Sequence, residues 1–125
     1  CHIELETKLK QNFLNSCAVE LHHLLEKRLD LVFGGHTQKA IAPEINKNGY
    51  DITRCSSWVL LNEELRHAAN AIKHGLNGPS GQKLTEQNSS LISKNAIKVS
   101  EADLKKYVTA LQNFWNAALD KRVIC

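Results

Sequence analysis

No stretch of this chain is both long and free of charge, which excludes a membrane-spanning helix. Nucleophile-elbow, phosphate-loop and dinucleotide-binding glycine patterns (GxSxG, GxxxxGK[ST], GxGxxG) are missing, which argues against hydrolase and nucleotide-fold enzymes. The four cysteines, at positions 1, 17, 55 and 125, show no CxxC spacing, and there is neither a signal-peptide pattern nor the cysteine density of a disulfide scaffold. They therefore read as free thiols in a reducing, cytoplasmic setting, with Cys17 and Cys55 acting as small hydrophobes on or beside helix faces. Methionine is absent, so either the initiator was removed ahead of Cys1 or the chain is a piece of a longer product. No internal repeat or low-complexity tract interrupts the pattern.

What is present is a balanced composition for one helical domain spanning residues 1–125. At 42 % hydrophobic and 23 % charged residues, the chain has enough apolar material for a core and too little charge for disorder. Its net charge of +3 is small, and Lys and Arg are interspersed with Asp and Glu rather than gathered into a nucleic-acid footprint. Six histidines make the surface sensitive to mild acid.

Apolar spacing predicts an all-α bundle of three long helices, at about 2–33, 56–74 and 101–122, with short extra helical turns between them. In the first, Leu5, Leu9, Phe13, Cys17, Leu21, Leu24 and Val32 recur at spacings of three and four or their multiples, and Gly34 and Gly35 stop it. Pro43 and Gly49 mark residues 36–54 as a connection that borders a site. Ser56 or Ser57 caps the second helix, whose buried side is Trp58, Leu61, Leu65, Ala68, Ala69, Ile72 and Leu76, and Gly75 closes it. Residues 77–95 read as a loop anchored by Leu84, Leu91 and Ile92. Ser100 and Asp103 form a capping box ahead of the third helix, which carries Leu104, Val108, Leu111, Trp115 and Ala118.

The second helix holds the chemistry. At about 100° per residue from Leu65, Asn70, Glu63, His74 and His67 fall at about 140°, 160°, 180° and 200°, a polar stripe opposite the core with Arg66 on its shoulder. A solvated face explains such a stripe equally well. As a site, it joins imidazoles that move protons near neutral pH to a guanidinium suited to phosphate. A zinc centre is disfavoured, because His67 and His74 lie seven residues apart, about 10 Å along the axis, and His22 and His23 point to different sides of their helix. No metal or other cofactor is expected.

Residues 64–75 (ELRHAANAIKHG), with VSEADL at 99–104 and Phe114-Trp115, resemble small bacterial helical proteins of the HEPN superfamily. The resemblance covers about the second half of the chain. That family's mark is R-N-x-x-x-H on one helix of a bundle that pairs two such helices across a dimer. Asn70 and His74 match its polar residue and histidine, Ala69 stands where its arginine would be, and Arg66 lies one turn earlier. The resemblance implies a domain of a bacterial toxin-antitoxin or phage-defence system, either a metal-independent endoribonuclease or a degenerate inactive relative. It assigns His74 as acid or base, Arg66 to the phosphate and Asn70 to orientation, with Glu63, His67 and Lys73 as neighbouring binding residues. Implied partners are a second copy joined through the second helices, RNA, and a partner protein such as an antitoxin. The alternative, from a different class, is a non-catalytic dimerisation or protein-interaction module using the same stripe.

Overall fold

A computed structural model describes residues 2–48 and 51–120. In chain order it contains α1 (His2–Phe33), α2 (Gln38–Ile45), α3 (Ser56–Val59), a π-helical segment (Leu60–Leu65), α4 (Arg66–His74), α5 (Pro79–Gln87), the short strands β1 (Ile92–Ser93) and β2 (Ala96–Ile97), and α6 (Glu101–Asp120). The fold is mostly helical. The expected third helix is α6; its extension to residue 122, like Cys1 and Cys125, lies outside the described residues.

The expected second helix is present as one run from Ser56 to His74, because the junction residues Leu60, Leu65 and Arg66 all keep right-handed helical dihedrals. Its middle turn is widened. The amide of Arg66 bonds to the carbonyl of Leu61, five residues back, instead of to Asn62. The run begins one residue earlier than a serine cap would place it: the Cys55 sulfur accepts from the Trp58 amide at 3.2 Å. Cys55 is disulfide-bonded, which corrects the free-thiol expectation for this residue, while Cys17 is free and half-buried.

The 36–54 connection holds a short helix, in keeping with the extra helical turns expected there, and the 77–95 segment, read as a loop, contains one as well. Thr37 caps α2, its hydroxyl accepting from the Ala40 amide. Pro79 opens α5 at the first helical position, where its missing N–H costs nothing. Leu84 and Leu91 anchor the 77–95 segment in the core, as their spacing suggests, and Ile92 is half-buried. Lys94 and Asn95 take positive φ in the two-residue turn between β1 and β2. Asn15 of α1 holds the segment that follows, donating to the Ile97 carbonyl and accepting from the Val99 amide. The Ser100–Asp103 capping box forms in both directions, each bond 3.0 Å long.

The core is one cluster in which Trp58, Leu61 and Leu65 of the central run meet Tyr107 and Phe114 of α6 and Leu25 and Leu29 of α1. Ring contacts extend it: Phe114 lies 5.3 Å from Trp58 and edge-on to Trp115, which stacks on Phe33.

The inward face of α1 differs from the expected one. Ala18, His22, Leu25 and Leu29 are buried, whereas Leu5, Leu9, Phe13, Leu24 and Val32 are exposed, Phe13 at 67 %. The true core face contains a small alanine and a polar histidine, so a count of large apolar residues selects the opposite line.

Candidate functional site

The central run is covered on several sides, by α1, α5 and α6. Its polar residues therefore do not form one solvent-facing stripe. His67 is 7 % exposed beneath α5, Glu63, Arg66 and Asn70 are half-buried, and only Lys73 and His74 are exposed. Within that expected stripe α5 of the same chain lies over His67, with Ser80 Oγ 3.2 Å from its Nδ1.

Arg66 and Asn70 come together at a cavity of about 290 Å³ between α1, the start of α2 and the central run. That volume is near the lower end of small-ligand pockets. Its polar wall adds His22 and Glu26 from α1, His36 and Gln38 from the chain reversal after α1, and Asn62. Leu25, Leu29, Trp58 and Leu61 supply the apolar floor. His74 is not part of it; as the last residue of α4 it stands about 12 Å along the axis from Arg66. Lys73 points its ammonium at His23, 3.3 Å away, and Glu63 lies 3.8 Å from His67.

The widened turn positions the guanidinium. With the Arg66 amide bonded to Leu61, Nε of the same residue donates to the Asn62 carbonyl at 2.8 Å. One terminal nitrogen stands 3.5 Å from His67 Nε2. No carboxylate of the described residues forms an ion pair with Arg66, so a half-buried cation borders the cavity with its charge uncompensated. The Asn70 amide likewise makes no hydrogen bond among the described residues.

Opposite them stands a histidine–carboxylate array. Glu26 places one oxygen 3.3 Å from His22 Nε2 and the other 3.2 Å from His36 Nε2, and His36 Nδ1 lies 2.9 Å from Asp30. His22 is only 5 % exposed, and its Nδ1 is buried with no hydrogen-bond partner. Burial pushes its pKa down to about 4 against the pull of Glu26, so the ring is neutral at pH 7. A neutral ring that donates from Nε2 to Glu26 leaves Nδ1 as an unused acceptor. His67 also has a lowered pKa, through burial first and the Arg66 charge second, with Glu63 opposing.

A second polar centre lies on the other side of the widened turn. Glu64 is buried, accepts hydrogen bonds from the Tyr107 phenol and forms an ion pair with Lys106 at 2.9 Å. With its amide nitrogen turned toward Glu64, Asn88 adds a third donor at 3.1 Å. This network ties α6 to the central run.

Of the candidate site residues named from the sequence, Arg66 and Asn70 line this cavity, and His22, Glu26, His36, Gln38 and Asn62, which line it too, were not among them. The available signals were the i,i+4 spacing of His22 and Glu26 and the Gly34-Gly35 reversal, where Gly34 has φ +74° and folds His36 back toward α1. Among the described residues no group of three or more His, Cys, Asp or Glu side chains is arranged to hold a metal ion, and no helix is long and apolar enough to cross a membrane. No protein-family model, no curated protein and no solved structure matches the chain.

Proposed function

We propose that the chain is an HEPN-like helical domain of a bacterial toxin-antitoxin or phage-defence type system that engages RNA at the Arg66–Asn70 cavity. On this reading it is either a metal-independent endoribonuclease or a relative that binds without cleaving. The observation that carries the proposal is the uncompensated guanidinium of Arg66 beside an unpartnered Asn70 amide in a cavity of ligand size. Guanidinium forks match phosphate oxygens, and a half-buried position strengthens that attraction relative to bulk water.

The division of labour differs from the one the family resemblance implies. Arg66 holds the scissile phosphate and Asn70 orients it. The imidazoles that line the same cavity are His22 and His36, both held by Glu26, rather than His74, and the buried one, His22, is the proton acceptor on this reading. A neutral His22 accepts a proton, and an arriving phosphate raises its basicity.

The test is incubation of RNA with purified protein in the presence of chelator, combined with binding measured by fluorescence anisotropy. Arg66→Ala is expected to weaken binding about tenfold or more. Cleavage lost in Arg66→Ala and His22→Gln but kept in His74→Ala supports the cavity-centred nuclease. Loss in His74→Ala alone restores the role implied by the family. Binding without cleavage supports the degenerate relative, and absence of both defeats the RNA reading.

A second reading is favoured by two observations: the exposed apolar line of α1 and the disulfide at Cys55. Disulfides persist in oxidising compartments, whereas the toxin-antitoxin or defence setting of the first reading is a reducing, cytoplasmic one. On this reading the chain is a non-catalytic interaction module, and a partner protein covers exposed surface.

A further inference from the structure

Helix α1 is apolar on two opposite sides. Its core side, Ala18, Leu25 and Leu29, lies at about 120–160° around the axis from Phe13. Leu5, Leu9, Leu24 and Leu31 lie within about 80° of Phe13 on the other side, and all five are exposed, Leu31 at 87 %. A helix needs one apolar stripe to join a fold, so a second one signals a second packing surface.

The charges along this outer line are as informative as its leucines. Glu6, Glu20 and Lys27 interrupt it, and none of them forms an ion pair among the described residues, although Lys10 pairs with Glu101 and Arg28 lies over Trp115. We propose that the outer line of α1 is the surface on which two copies of this chain associate, pairing their first helices antiparallel.

The charge order selects the direction and register. Rotating a second α1 by 180° about an axis between residues 16 and 17 places Glu6 beside the partner's Lys27 and Leu9 beside the partner's Leu24. Phe13 then covers the methylenes of the partner's Glu20. Two-fold symmetry makes every pair occur twice. A parallel, in-register pairing instead sets Glu6, Glu20 and Lys27 each against its own copy. An antiparallel pairing slid by four residues brings Lys10 onto the partner's Lys27.

From Glu6 to Lys27 the contact runs about 32 Å. One helix face of that length buries on the order of several hundred Å² per copy, below the roughly 800 Å² per partner of a standard interface. The dimer is therefore reversible and sensitive to concentration. It leaves the His22 and Glu26 side of α1, and the cavity it lines, open, so it stands or falls independently of any ligand there.

Sedimentation velocity of the full chain from about 1 to about 500 µM tests the proposal. Wild type is expected to pass from monomer to dimer across that range. Leu9→Glu and Leu24→Glu each raise the dissociation constant about tenfold or more, and Glu6→Lys or Lys27→Glu raises it about fivefold. The double variant Glu6→Lys with Lys27→Glu restores wild-type association. Circular dichroism melts check that these exposed substitutions leave the fold intact. A monomer at every concentration, or a dimer indifferent to Leu9→Glu and Leu24→Glu, overturns the surface. Failure of the double variant to rescue overturns the antiparallel register.

Discussion

The phenol of Tyr107 donates to the buried carboxylate of Glu64, joining α6 to the widened turn of the central run. Burial and the Glu64 charge both raise the Tyr107 pKa above its ordinary value, so the phenol keeps its proton and remains a donor throughout the physiological range. Tyr107→Phe leaves Glu64 with Lys106 but removes this bond. The expected loss is about 1–2 kcal/mol, read from urea unfolding, and a change below about 0.5 kcal/mol would show that the bond contributes little.

Acid should weaken the fold through His22. Its folded pKa of about 4 lies below the unfolded value of 6.5, so the unfolded state binds more protons between those limits and stability falls as pH drops through that window. The stabilisation is fully present above pH 6.5, and roughly 3 kcal/mol of it is lost by pH 4. His67 titrates in the same sense from a lowered pKa. Urea midpoints measured from pH 7 to pH 4 should drop in wild type and drop less in His22→Gln; equal slopes would mean that His22 does not carry the effect.

Gly81 marks a close approach between α5 and the loop before it. A Cβ there would stand 2.2 Å from the Leu76 carbonyl oxygen, a backbone atom that cannot step aside. Gly81→Ala, favourable by helix propensity, is instead expected to destabilise by about 1–3 kcal/mol. Gly78, whose Cβ would meet only the Gly75 oxygen at 3.7 Å, provides the control. Equal thermal melts for the two alanine variants would contradict this packing.

The cysteines should divide under alkylation without reductant. Cys17 is free and Cys55 is disulfide-bonded, so mass mapping should find label on Cys17 and on Cys55 only after reduction. Immediate labelling of Cys55 would reinstate the free-thiol reading and with it the reducing compartment.

Local signals were legible wherever a short stretch of chain satisfies itself. The Ser100–Asp103 box, the left-handed glycines at 34 and 75, and the buried line from Trp58 through Leu61 and Leu65 to Ala68 depend on residues within a few positions of one another. Segment 79–87 was less legible because Gly81 and several polar residues resemble a loop, while the helix is stabilised by Gly81 packing on Leu76 and Leu84 entering the core.

The site was half legible for the same reason. Arg66 and Asn70 share one helix, one turn apart, and their spacing brings them together whatever surrounds them. His22, Glu26 and His36 join them only because α1 packs across the central run and the glycine reversal turns His36 back. His67 left the surface when α5 folded over it.

The sequence by itself determined the helical periods, the caps and stops, and the pairing of Arg66 with Asn70, since each follows from backbone geometry over a turn or two. Only the tertiary structure decided which side of α1 faces the core. Both sides carry apolar residues, and burial depends on the total fit against the π-helical segment, α4 and α6. There the line containing Ala18 and His22 allows close approach, leaving the larger Leu9 and Phe13 outside.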